Sequence, residues 1–251
     1  MKLCMMKQTA LKLREHLEKH GGKIILTEKK VIMFIVEGPS DEAALGTIMK
    51  EIFSQNHIRF IVVRGDITTR DDVSPNNVVN KIYDMVKLER ERYRYRISDF
   101  SQIIHIVDTD GVFIPDDLVV GHDNTVTLYY TDRIETKNID NIIRRNDKKR
   151  KVLLTLEKTT KISSIPYRIY YNSCNLEHVL YNELRDITDE EKQIMSDAFA
   201  EKYEGRANEF IDFISDREVA SPGGYRDTWR FIKEDVNSLN RHSNMHLIFS
   251  E

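Results

Sequence analysis

The chain has 251 residues, 40% of them hydrophobic and 31% charged, which suffices for one substantial core with additions but not for two independent full-sized domains. No apolar run approaches the roughly 18 residues of a membrane span, and the opening MKLCMMKQTALKLREHL lacks the apolar stretch of a signal peptide, so a cytoplasmic protein with no membrane partner is expected. A formal net charge of -3 weighs against nucleic-acid binding until the charge is located, and the two cysteines, Cys4 and Cys174, supply neither a disulfide framework nor a CxxC zinc site.

Ala10, Leu13 and Leu17 share one helical face ahead of Gly21 and Gly22, which predicts an N-terminal helix over residues 6–20. VIMFIV, from Val31 to Val36, is too short for a buried helix and rich in β-branched residues, so it reads as a strand covered on both faces. After the turn EGPS, Ser40 can cap a helix with apolar positions Ala44, Leu45, Ile48, Met49, Ile52 and Phe53. The unit repeats: residues 58–63 form a second strand, and Ser74-Pro75 announces a helix carrying Val78, Val79, Ile82, Met85 and Val86. A third strand, QIIHIV, ends at Val107. Strands alternating with helices imply right-handed crossovers and a mainly parallel sheet.

Further strands are expected over residues 126–131 and 168–172, with a charged span at 132–161 between them. Thr188 and Glu191 form a capping box before Ile194, Met195, Ala198 and Phe199, and Trp229, Ile232, Val236 and Leu239 mark a last amphipathic helix. The fold class is therefore α/β, a mainly parallel sheet flanked by helices, with an N-terminal helix and a helical C-terminal extension.

Charge is distributed unevenly. Residues 144–151 (RRNDKKRK) hold six bases against one acid, and VKLERERYRYR, ending at Arg96, mixes five bases with two tyrosines. Residues 177–218 reverse the sign, with thirteen acids against five Lys or Arg. Each basic run alone reads as a solvated surface, but phosphate contacts supply sequence-independent affinity, so Arg144, Arg145, Lys148, Lys149, Arg150 and Lys151 are candidate nucleic-acid contacts.

Three strands are followed by acids: Glu37 after VIMFIV, Asp108 and Asp110 after QIIHIV, and Glu177 a few residues after RIYYN. In an open parallel sheet the carboxyl edges of the strands form the ligand crevice, so the topology brings these acids together. Clustered carboxylates repel unless a cation neutralises them, and Mg²⁺ or Mn²⁺ suits a few carboxylates plus phosphate oxygens and water. Asp41 is open between a second-metal role and a helix-dipole role, Glu177 between metal shell and helix N-terminal charge, and Asp66 reads as a turn residue. His105, within an apolar strand, reads as a core histidine, and the paired tyrosines as ordinary strand residues.

FIVEGPSDEAAL together with HIVDTDGVF resembles the Toprim domain shared by type IA and II topoisomerases, bacterial primases and small nucleases, with the glutamate and DxD motifs in matching order, context and spacing. EGPSDE and the GD pair of RGDITT are most similar to OLD-family nucleases. NSCNLEHVL resembles the acidic motif of RloB-like Toprim proteins, with Asn-Leu before Glu177 where those carry an aromatic. The resemblance covers roughly residues 30–185. It implies a Toprim-like α/β domain over 30–185, which leaves the N-terminal helix and lead-in read from the pattern over 1–29 and the helical C-terminal extension over 186–251. It further implies that Glu37, Asp108 and Asp110 are catalytic and bind Mg²⁺ or Mn²⁺, with Asp41 and Glu177 as further candidates for the metal shell. The implied activity is a nuclease acting on DNA or RNA, with a partner ATPase or a homo-oligomer as associates and, by analogy, a place in phage defence. Two alternatives stand beside it. One is a catalytically silent Toprim module that binds nucleic acid or protein; the other is a haloacid-dehalogenase-like phosphatase, whose first motif VDTDGV also resembles.

Overall fold

The computed structural model describes residues 29–123 and 125–250; the helix expected over residues 6–20 lies outside them. Strand β1 (Val31–Val36) is buried at every position, as its unbroken apolar sequence requires. It leads through Gly38 into helix α1 (Pro39–Ile52), and strand β2 (His57–Val62) and helix α2 (Val78–Arg92) repeat the unit. Strand β3 (Phe100–Asp108) follows, then a small sheet of β4 (Val119–Gly121), β5 (Leu128–Tyr129) and β6 (Ile134–Thr136). Helix α3 (Ile139–Lys158) returns the chain to β7 (Lys161–Ile162) and β8 (Ile165–Asn172). The C-terminal part holds α4 (Leu176–Tyr181), α5 (Asp189–Tyr203), α6 (Ala207–Ser215) and α7 (Tyr225–Phe231).

The main sheet has the order β2-β1-β3-β8-β7. Its first four strands are parallel, with β1 pairing β2 and β3, and β3 pairing β8; only β7 runs antiparallel, against β8. The period of two along each strand divides the core. Val31, Met33 and Ile35 face α2, α3 and α7 through Val78, Ile82, Val86, Val152, Leu153, Leu156 and Trp229. Ile32, Phe34 and Val36 face α1, α4, α5 and α6 through Leu45, Ile48, Val179, Phe199, Phe210 and Ile214. The fold is thus mixed α/β, a mostly parallel five-stranded sheet with helices on both faces.

Three sequence expectations change. The strand foreseen over 126–131 shrinks to Leu128–Tyr129 in the separate small sheet, and the charged span after it is largely one 20-residue helix, α3. The last amphipathic helix stops at Phe231, and after Asp235 (φ 45°) the chain makes a short 3-10 turn at Asn237–Leu239. Ser40 lies inside α1 and Gly38 is its N-cap; the Asp41 carboxylate performs the capping, accepting from the Glu37 and Gly38 amides at 3.1 and 2.9 Å. The C-terminal helices pack on the sheet: Phe199, Phe210 and Ile214 cover one face and Trp229 the other.

Candidate metal centre

The carboxyl edge of β1, β3 and β8 is where the acids meet. Register pairs Ile35 with His105 and Asp108 with Asn172, so Glu37, one residue past β1, arrives beside the end of β3. There Glu37 Oε1 accepts the Asp108 amide at 3.1 Å, and Asp108 Oδ1 accepts from Asn172 Nδ2 at 3.2 Å. Asp110 turns back toward the site in a left-handed conformation (φ 48°), one that is uncommon outside glycine and that Asp tolerates better than most residues. Its amide donates to the Cys174 carbonyl at 2.8 Å, and its carboxylate takes an ammonium. Gly111 (φ 66°) follows, where a Cβ would stand 2.4 Å from Leu239 Cδ2, so both conformation and close approach require glycine.

That ammonium belongs to Lys149. Its Nζ lies 2.6 Å from Asp110 Oδ2 and 2.8 Å from Asp66 Oδ2, and its side chain is 0% exposed. Asp66 also accepts from the amide and hydroxyl of Thr68. On the other side of Asp108, Lys192 Nζ sits 3.4 Å from Glu177 Oε1, and Glu177 is itself buried at the start of α4, whose N-cap Asn175 accepts the His178 amide at 2.8 Å.

The electrostatics follow from burial and crowding. Burial raises the Glu37 carboxyl well above the ordinary range, Lys149 opposes this, and Asp66 and Asp110 add to it. Asp108 is raised by burial and then by Glu37 and Asp41, and Asp41 is pushed by burial up to about 6. For Asp66 the burial cost is outweighed by Lys149 and Thr68, which hold it below the ordinary range. Burial opposes the charge on Lys149, yet Asp110, Glu37 and Asp66 keep its ammonium protonated well above the usual lysine range.

The structure therefore brings Glu37, Asp41, Asp66, Asp108, Asp110 and Glu177 to one edge. It also corrects one assignment: Lys149 cannot track a nucleic-acid backbone, because it is fully buried among these acids. Its neighbours on α3 spread around the helix. Arg144 and Lys151 are exposed, Lys148 donates to the Thr69 and Arg70 carbonyls, Arg150 donates to the Val112 carbonyl, and Arg145 reaches Tyr129 Oη at 2.7 Å and the Asp110 carbonyl at 3.1 Å. The other basic run, closing α2, lies at the opposite edge of the sheet, where Lys30 at the start of β1 binds the Ser98 carbonyl. His105 is a core residue, 2.8 Å from Tyr167 Oη, and burial depresses it to about 3.

Sequence reasoning left Lys149 on the surface and gave no role to Lys192, Asn172 or Ser238. The signal for Lys149 was present: Ile142, Asn146, Lys149, Leu153 and Leu156 recur at helical spacing, which sets Lys149 on the inward face of α3. For Ser238 there was none. Its carbonyl accepts from Thr109 Oγ1 and the Cys174 amide, and its hydroxyl accepts the Phe113 amide, so the C-terminal segment props the loop bearing Asp110 from far along the chain.

Among the described residues no group of three or more His, Cys, Asp or Glu side chains is placed to hold a metal ion. The donor chemistry nonetheless fits a hard divalent cation, because the converging groups are all carboxyl oxygens and Glu37 and Asp108 are held by neutral donors. A cavity of about 810 Å³ opens beside Glu177 and Lys192, lined in part by Tyr129, Tyr130, Asn175 and Arg185. No helix among the described residues is long and apolar enough to cross a membrane. No protein-family model, curated protein or solved structure matches the chain.

Proposed function

We propose that this chain is a Toprim-type, Mg²⁺- or Mn²⁺-dependent nuclease that hydrolyses nucleic-acid phosphodiesters. The observation that carries the reading is the meeting of Glu37 with Asp108 and Asp110 across adjacent parallel strands, with Glu37 Oε1 3.1 Å from the Asp108 amide. Glu37, Asp108 and Asp110 would hold the ion. Bound there, it supplies Lewis-acid polarisation of a phosphate and a water of lowered pKa. Where Glu37 is not engaged by the ion, its carboxyl, raised by burial, would instead serve in proton transfer at the attacking or leaving oxygen. Arg145, held by Tyr129, Asn146 and the Asp110 carbonyl, fixes the loop that carries Asp110, and the cavity beside Glu177 is of a size to take a nucleotide next to the scissile bond. The phosphatase alternative leaves Glu37 without a role, whereas here it braces the Asp108 backbone.

The test is incubation of the purified chain with RNA, tRNA and supercoiled DNA, each with Mg²⁺, Mn²⁺ or EDTA. Cleavage with metal, abolished by EDTA and lowered at least about 100-fold by Asp108→Ala, Asp110→Ala and Glu37→Gln, is the expected result. Cleavage unaffected by Glu37→Gln would remove both the ligand and the proton-transfer role.

A further inference from the structure

A second concentration of charge lies away from the acidic edge, toward the end of α3. From Lys149 to Lys158 that helix advances about 14 Å, and the chain then turns into β8, where the Tyr167 amide donates to the Thr160 carbonyl at 2.9 Å. Tyr167 and Arg168 pair with Ile103 and Ile104, whereas the acids gather beyond the pair of Asp108 with Asn172. Between the end of α3, β8 and α7 a cavity of about 650 Å³ opens. Lys158, Arg168, Arg226, Arg230 and Lys233 line it, against Glu157 as its one acid.

That acid is already taken, because Lys233 Nζ holds Glu157 Oε2 at 2.5 Å. Arg168 lies over the Tyr225 ring at 4.9 Å, and the Tyr225 hydroxyl donates to the Ile169 carbonyl at 2.9 Å, so the ring backing this guanidinium is pinned to β8. Arg230 meets Asp227 at 3.2 Å, but both side chains are largely exposed and such a pair is weak in water. Among the described residues no acid pairs with the exposed Arg226 or Lys158. Cations gathered round one concavity repel one another and focus an attractive field on anions. The chain's net charge is -3, so the excess is local to this cavity and not a general basicity.

We propose that this cavity binds an oligophosphate chain, free or as the tail of a nucleoside triphosphate. Guanidinium forks take phosphate oxygens in pairs, and three arginines round one cavity suit several linked phosphates better than a single one. The volume falls within the roughly 300–1,000 Å³ of small-ligand clefts, whereas a nucleic-acid strand needs an extended groove with stacking platforms. The inference stands apart from the nuclease reading, since it uses neither the acidic edge nor a metal ion.

The experiment is calorimetric titration of the full chain with inorganic tripolyphosphate, ATP, orthophosphate and an unphosphorylated single-stranded decanucleotide. EDTA is present throughout, so that no divalent ion can recruit phosphate to the acidic edge. About one tripolyphosphate per chain is expected, with orthophosphate at least about 10-fold weaker, and Arg226→Gln and Arg230→Gln should each lower tripolyphosphate affinity at least about 10-fold. Both side chains are exposed, so these variants keep the fold, and Arg92→Gln, at an exposed arginine of α2, should bind like the parent. ATP that competes at equal or higher affinity identifies a nucleotide as the source of the phosphates; ATP bound far more weakly identifies free polyphosphate. No tripolyphosphate bound at millimolar concentration, or binding untouched by both arginine variants, overturns the proposal. A decanucleotide that displaces tripolyphosphate at higher affinity overturns it in favour of a nucleic-acid track.

Discussion

Asp41 accepts two amide hydrogens at the start of α1, yet burial lifts its carboxyl from an ordinary 3.8 to about 6. A folded-state pKa above the unfolded one means that the folded protein favours the protonated acid. Its contribution is complete below about pH 3.8 and is lost as pH rises through about 6. The shift is worth up to about 3 kcal/mol from this residue. Without metal, urea denaturation should therefore show Asp41→Asn gaining stability on the parent as pH rises from 4 to 7.5, with no difference at pH 4. Equal curves across that range would show that the Asp41 carboxyl is not perturbed. Asp66 has the opposite sign: Lys149 and Thr68 hold it low, so its contribution is present above its ordinary value and lost as pH falls.

At the scale of elements, α4 is only six residues long and depends on its first turn to hold Glu177. An isolated helix of this length is unstable in water, so its cap and its buried residues Leu176, Val179 and Leu180 must fix it. The Asn175 side chain satisfies the His178 amide at 2.8 Å. Asn175→Ala is expected to cost about 1 kcal/mol in chemical denaturation. Because the same turn carries Glu177 toward Lys192, the variant should also loosen that pair. An unchanged midpoint would mean that packing alone sets the helix.

For the molecule as a whole, the C-terminal residues complete the core. Phe199, Tyr203, Phe210, Ile214, Met245 and Ile248 cover one face of the sheet, and Trp229 and Ile232 the other. At roughly 1.5–3 kcal/mol for each buried side chain, their loss is as large as or larger than the roughly 5–15 kcal/mol by which a domain is usually stable. A chain ending at residue 186 should fail to unfold cooperatively in a calorimetric scan. A sharp transition close to that of the full chain would instead show that residues 30–185 fold independently.

The amino-acid sequence by itself determined the strands and helices whose pattern is local. VIMFIV can only be a doubly covered strand, the Val78, Ile82 and Val86 spacing only a helix face, and the acids after β1 and β3 only neighbours once the crossovers make the sheet parallel. Tertiary structure decided what depends on partners distant in the chain. Lys149, in a run of bases that reads as surface, is drawn inward because Asp66 and Asp110, 83 and 39 residues away, offset the cost of burying its charge. Ser238 meets Thr109 across 129 residues, a contact with no local periodicity to announce it. Hydrophobic pattern is written in neighbouring residues and can be read there; the pairing of a buried charge exists only when the whole chain has closed around it.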